Sequence, residues 1–180
     1  MRMSREWTKD YQESTGPDGR KTYVYTGDRH ALTGAARRVY ASRVTPFTAL
    51  TLAFLAAAGL SGAPGSRVMY VALPWAGLCF AAALALFDCA RILFLKRALT
   101  ARDYKSSALR LKKSLVWMTA LSALASACEA IFFLLNGLPA GEIPAMVLTF
   151  FCFACSVSAY RAEKAAVWER VPFAPFKPPA

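Results

Sequence analysis

"VALPWAGLCFAAALALFDCARILFLKR", residues 71–97, runs uncharged to Phe87 and then meets Asp88, Arg91, Lys96 and Arg97. Working outward, the apolar run reaches back to Val68. Three others resemble it: Val44–Ala63, Leu115–Leu135 and Ile143–Tyr160. Each holds 18–21 residues. At a helical rise of ~1.5 Å per residue such a run covers about 27–31 Å, the thickness of a ~30 Å hydrocarbon core. Backbone amides inside lipid must find partners within their own segment or in a closed barrel. The runs lack the polar–apolar alternation of barrel strands and are about twice too long for them. The sequence therefore predicts an all-α membrane protein with four transmembrane helices, at about 44–63, 68–90, 101–135 and 143–160.

Composition agrees. The 180-residue chain is 56% hydrophobic, and its formal net charge is +11. Soluble domains average about 45–50% apolar. The polar residues concentrate in three places, which divide the chain into a tail at 1–43, a membrane domain at 44–160 and a proline-rich tail at 161–180. No apolar segment precedes Val44, so the first run reads as a retained helix rather than a cleaved leader.

The basic residues set the expected orientation. The first tail holds nine, the connection at 64–67 one, residues 88–114 eight, residues 136–142 none, and the last tail four. Lys and Arg accumulate on the cytoplasmic side of membrane proteins. Both termini are therefore expected inside, in a plasma membrane, with prokaryotic origin suggested by the short, unadorned layout. Arg37, Arg38, Arg43, Lys96, Arg97, Arg110, Lys112 and Lys113 are expected to contact an anionic inner leaflet, each contributing ~1 kcal/mol. Topology and lipid account for these charges, and nucleic acid is not expected as a partner. The outer connections, GAPGSR (62–67) and NGLPAGE (136–142), are too short to fold into an external domain.

The inner segments carry local signals. Gly16-Pro-Asp-Gly19, followed by the β-branched and aromatic run at 21–26, predicts a small β-hairpin. Ala35–Arg43 predicts a short basic interfacial helix capped by Thr33, with Pro46 opening the first spanning helix. Tyr104, Ala108, Leu111 and Leu115 lie on one helical stripe, so the third helix is expected to start near Ala101, in the cytoplasm.

Two polar features stand out. Asp88 and Arg91 are three residues apart, and the spacing predicts an interfacial ion pair on one helical face, worth less than about 1 kcal/mol. Glu129 lies deep in the third run, where a charge facing lipid is costly, so it is expected to face the bundle or water. Ser122, Ser126 and Ala130 form a row of small residues beside it that would let helices approach closely. Glu129, Ser126 and Ser122 are the candidate intramembrane polar site.

Other chemistry is poorly supplied. His30 stands alone, which predicts no metal centre, and no cofactor-binding motif or catalytic set is visible. Cys152-Phe-Ala-Cys155 matches the C-x-x-C of four-helix enzymes that pass electrons from thiols to quinone. The pair lies mid-helix, however, and neither outer connection holds a cysteine. The sequence reads as a non-enzymatic accessory, regulatory or interaction subunit, in a homo-oligomer or larger membrane complex. The alternative is an oligomeric small transporter or channel protomer using Glu129; a thiol redox enzyme using Cys152 and Cys155 is a minor one.

Overall fold

In the computed structural model, residues 11–15, 21–25, 27, 29–94, 99–137 and 142–171 are described. A hairpin of β1 (Tyr11–Thr15) and β2 (Lys21–Tyr25) comes first, paired antiparallel with Thr15 opposite Lys21. The hairpin predicted around Gly16–Gly19 therefore forms, although the turn itself lies outside the described residues. Strand β3 (Arg29–Leu32) leads into α1 (Gly34–Leu60), and α2 follows at Met69–Phe94. Then come β4 (Leu99–Thr100), α3 (Ala101–Asn136), α4 (Glu142–Lys164) and β5 (Trp168–Val171).

Among the described residues, four helices are long and apolar enough to cross a membrane. Short connections alternate their direction, and the contacts run α1–α2–α3–α4 and back to α1, a closed four-helix ring. The starts of α2 and α3 fall close to expectation. Other boundaries differ: α2 runs on to Phe94 rather than stopping at 90, and α1 ends at Leu60 rather than 63. α4 extends to Lys164 rather than Tyr160, because Ala162 and Glu163 still face the bundle. α1 begins at Gly34, not near Val44: the basic interfacial helix and the first spanning helix are one, joined by a π-turn at Tyr40–Val44. Pro46 has no N–H for the usual bond four residues back. The widened turn just before it, with the Thr45 N–H donating to the Tyr40 carbonyl, carries the helix across that gap. Thr33 caps the start as expected, its Oγ1 accepting from Ala36 N at 3.1 Å. Gly62 and Gly137, with φ of 68° and 76°, close α1 and α3 in the left-handed conformation that glycine adopts freely.

The bundle interior mixes small and polar residues with leucines, and its outer face is large and apolar. Phe80, Phe87, Trp117, Leu134 and Phe150 are all more than half exposed, while Thr48, Thr51, Asp88, Ser122, Thr149 and Ser156 are fully buried. Water would reverse that order; hydrocarbon tolerates it, because helices in lipid associate by close packing of small residues. Most buried hydroxyls are satisfied within their own helices, while Thr45 Oγ1 and Ser107 Oγ have no hydrogen-bond partner among the described residues. Thr48, Thr51, Thr119 and Ser156 donate to carbonyls four residues back at 2.7–2.9 Å. Leu55, Leu78, Leu115 and Met118 fill the centre.

One end of the bundle carries a small cap that the sequence did not announce. β3 is the middle strand of an antiparallel sheet, with β4 on one side and β5 on the other. His30 stacks on Tyr104 at 4.2 Å, and Trp168 packs edge-on against Tyr104 and Tyr40. The sheet ties together the three most basic parts of the chain: the first tail, the α2–α3 connection and the segment after α4. β5 occupies part of what reads in the sequence only as a proline-rich tail; residues 172–180 lie outside the described residues.

Candidate functional site

Among the described residues, four carboxylates are buried in the bundle: Asp88, Glu129, Glu142 and Glu163. Three of them tie the ends together. Asp88, on α2, receives Arg110 Nε at 2.8 and 3.1 Å and Arg110 Nη2 as well, a bidentate clamp from α3. Arg91, the partner expected from spacing, sits on Asp88's own helix; the clamp seen on Asp88 comes from Arg110, 22 residues further on. Asp88 is fully buried, and the long Arg110 side chain reaches in across Phe87 while its own surface stays 44% exposed. Glu163, on α4, accepts from the Tyr40 hydroxyl at 3.3 Å and lies 3.7 Å from Lys112 Nζ. At the opposite end, Glu142 opens α4, where a carboxylate suits the helix N-terminus, and accepts the Gly65 N–H.

The basic residues expected at lipid thus divide. Arg110 and Lys112 serve buried carboxylates, and Arg37 donates to the Leu93 carbonyl at 2.9 Å near the end of α2. Arg38, Arg43 and Lys113 are exposed; Lys96 and Arg97 lie outside the described residues.

Glu129 differs from the other three. The buried stripe of α3 runs Leu115, Met118, Ser122, Ala125, Glu129 and Phe132, so the carboxylate points into the bundle as expected, and the residue is 8% exposed. Of the expected small-residue row, Ser122 is buried and Ser126 half-buried, but Ala130 is exposed. A spacing of four drifts around a helix with 3.6 residues per turn, and the inner face passes from Ser122 through Ala125 to Glu129.

One oxygen of Glu129, Oε1, is 2.9 Å from the Thr149 hydroxyl of α4. That hydroxyl also lies 2.9 Å from the Ala145 carbonyl, and it has a single proton for the two acceptors. An ionised Glu129 can take that proton in its hydrogen bond; a protonated Glu129 can donate to Thr149, which then donates to Ala145. The arrangement accommodates both states of the acid. The other oxygen, Oε2, is buried without a hydrogen-bond partner. Buried polar atoms are nearly always paired, and an orphan calls for an explanation.

Beside it lies one. Glu129 lines a cavity of about 380 Å³, bounded by the end of α1, the turn after it, the start of α2 and Ala145 of α4. Its wall is Ala, Gly and Val with two further functional groups, the Trp75 indole and the Ser66 hydroxyl. Gly59 sets the indole: a Cβ there would lie 3.0 Å from Trp75 Cη2 and Cζ2, so the absence of a side chain lets the ring lie against the α1 backbone. Neither Trp75 nor the cavity has a signature in the sequence beyond an aromatic residue one position after Pro74.

All five cysteines are free thiols; Cys152 and Cys155 are buried, and Cys152 Sγ is 3.5 Å from the Thr51 carbonyl. Among the described residues no group of His, Cys, Asp and Glu is arranged to hold a metal ion. Comparison with protein-family models, with curated protein sequences and with solved structures finds no match to this chain.

Proposed function

We propose that this chain is a small integral protein of a plasma membrane, both termini cytoplasmic, that acts as the protomer of an oligomeric transporter or channel with its solute site at Glu129. One observation carries the reading: a buried carboxylate with an unpartnered oxygen lines a cavity, where a purely structural glutamate would be fully paired. Among the described buried carboxylates only Glu129 has such an oxygen; Thr45 Oγ1, Ser107 Oγ and Trp168 Nε1 are likewise unpartnered, but none of them lines this cavity. Four helices of this length enclose little volume, and a second copy would supply the rest of a pathway.

The accessory or regulatory role is the second reading. The sheet cap favours it, because it gathers the first tail, the α2–α3 connection and β5 at one end, where a partner could read them together.

The functional test is solute-dependent flux in vesicles reconstituted with the purified protein. Wild type is expected to carry a flux that Glu129→Gln removes, with insertion and assembly intact. Equal behaviour of the two proteins would return Glu129 to a structural role and leave the accessory reading standing. Orientation is tested separately with reporter fusions after residues 63, 100, 140 and 180, expected to read outside, inside, outside, inside. An externally active fusion at residue 180 would reverse the assignment.

A further inference from the structure

We infer that the cavity at Glu129 binds a small organic monocation, a protonated or quaternary amine with a compact apolar body. The inference rests on the reading of Glu129 as the solute site and names its ligand class. Charge comes first. Among the residues lining the cavity Glu129 is ionisable as an acid and none is a base, so the wall offers a negative group and no counter-ion of its own. An anion would meet the carboxylate's repulsion and find no positive group in the wall.

The remaining wall selects among cations. Sodium, potassium, magnesium and calcium ions exchange their hydration water for a shell of oxygen ligands; magnesium and calcium take six or more. The cavity supplies a carboxylate and the Ser66 hydroxyl, whose proton goes to the Ala63 carbonyl at 2.7 Å and whose lone pairs stay open; two oxygen-bearing groups fall short of such a shell. The other surfaces are methyl groups and an indole, which cannot replace water around a bare ion. They suit a ligand that brings its own apolar surface. A quaternary ammonium needs no such shell, since its charge is spread over methyl or methylene groups that pack against Ala and Val; a protonated amine directs its few N–H groups to the carboxylate and the Ser66 hydroxyl.

Trp75 strengthens the assignment. Indole is the best aromatic partner for a cation placed over its face, and quaternary ammonium groups are recognised by such rings. Gly59 fixes the ring, which lines the same cavity as Glu129. A carboxylate and an indole on one small apolar cavity supply charge, polarisable surface and size together. The volume of about 380 Å³ sits at the small end of the ~300–1,000 Å³ found for small-molecule pockets, which points to compact amines.

The test is calorimetric titration of the full chain in nanodiscs of phosphatidylglycerol. The probes are tetramethylammonium, choline and benzyltrimethylammonium chlorides, with 3,3-dimethyl-1-butanol as the uncharged isostere of choline and sodium and potassium chlorides as inorganic controls. At least one ammonium is expected to bind saturably, and the isostere and inorganic salts are not. Glu129→Gln, which keeps the side chain's shape, is expected to weaken binding about tenfold or more. Trp75→Leu is expected to weaken it about fivefold. Ala76→Leu, which fills the cavity from the α2 side and leaves both groups in place, is expected to abolish it.

A trimethylammonium group can arrive as a free solute or as a lipid headgroup. Adding phosphatidylcholine to the nanodiscs is expected to suppress choline binding if headgroups reach the site, and to leave it unchanged if only solutes do; either result supports the shared chemistry. Glu129-dependent binding of sodium or potassium without ammonium binding would overturn the ligand class and spare the site. Absence of any binding, or binding that Glu129→Gln and Ala76→Leu leave untouched, would overturn the inference. Retained Glu129-dependent flux in vesicles would then show that the functional reading survives it.

Discussion

Arg110→Ala is expected to destabilise the bundle by on the order of 3 kcal/mol, because it strands a buried carboxylate. Asp88 is completely buried, and its oxygens receive two nitrogens of Arg110. The full penalty for breaking a buried ion pair is about 3–5 kcal/mol. The lower end applies here, since the Arg110 side chain is 44% exposed and water shares its charge. Asp88→Asn removes the charge but keeps an acceptor, and should cost less, about 1–2 kcal/mol. The double variant Asp88→Asn/Arg110→Gln should be more stable than the sum of its singles predicts, because the amides can still pair. Reversible unfolding in mixed detergent micelles measures all three. A loss below about 0.5 kcal/mol for Arg110→Ala would mean that Asp88 finds another partner or water, and that the clamp does not fasten α2 to α3.

The size of that effect follows from what the sequence could not supply. Spacing along a helix proposes partners within a turn, and it nominated Arg91. The clamp seen on Asp88 comes from the next helix, and nothing in a one-dimensional pattern distinguishes Arg110 from the other bases of its connection. The same limit hides the cap. β3 and β5 have four residues each, β4 has two, and their pairings join segments far apart in the chain. Strands so short carry no periodic signal. The four helices were legible for the opposite reason: the bilayer imposes a length and a polarity on every residue of a span, so the signal accumulates over about twenty positions. The stripe Ala108, Leu111 and Leu115 likewise placed the start of α3, and all three are fully buried. Glu129's burial was legible from its surroundings. Its unpaired oxygen was not, because pairing depends on Thr149 of α4 and on space left by Gly59 and Ala145.

Gly65→Ala is the second substitution expected to be severe, at the end of the bundle opposite the cap. Gly65 is buried in the turn between α1 and α2, and its N–H donates to Glu142 at the start of α4. A methyl group there would lie 2.6 Å from Glu142 Oε1 and 3.1 Å from Phe132 Cδ1 of α3. Space is what matters at this position, since its backbone is not left-handed. Relieving the clash requires Glu142 to withdraw, which leaves the Gly65 N–H unpaired, or the turn to lift off α3 and α4. Overpacking of this kind costs about 1–3 kcal/mol, and a buried amide left without a partner adds about 1–3 kcal/mol. Glu142→Ala alone loses the hydrogen bond but opens room. The two substitutions are therefore expected to couple: Gly65→Ala should cost at least about 1 kcal/mol less in a Glu142→Ala background than in wild type. A four-corner unfolding cycle in micelles decides this. Strict additivity would mean that the turn and α4 do not meet through this contact. Because Gly65 lies one residue from Ser66 and Ala145 follows Glu142 on the same face of α4, the coupled pair also fixes one wall of the cavity. Gly65→Ala should accordingly weaken ammonium binding even where the protein remains folded, while Glu142→Ala, which relaxes the same wall without pushing on it, should weaken it less.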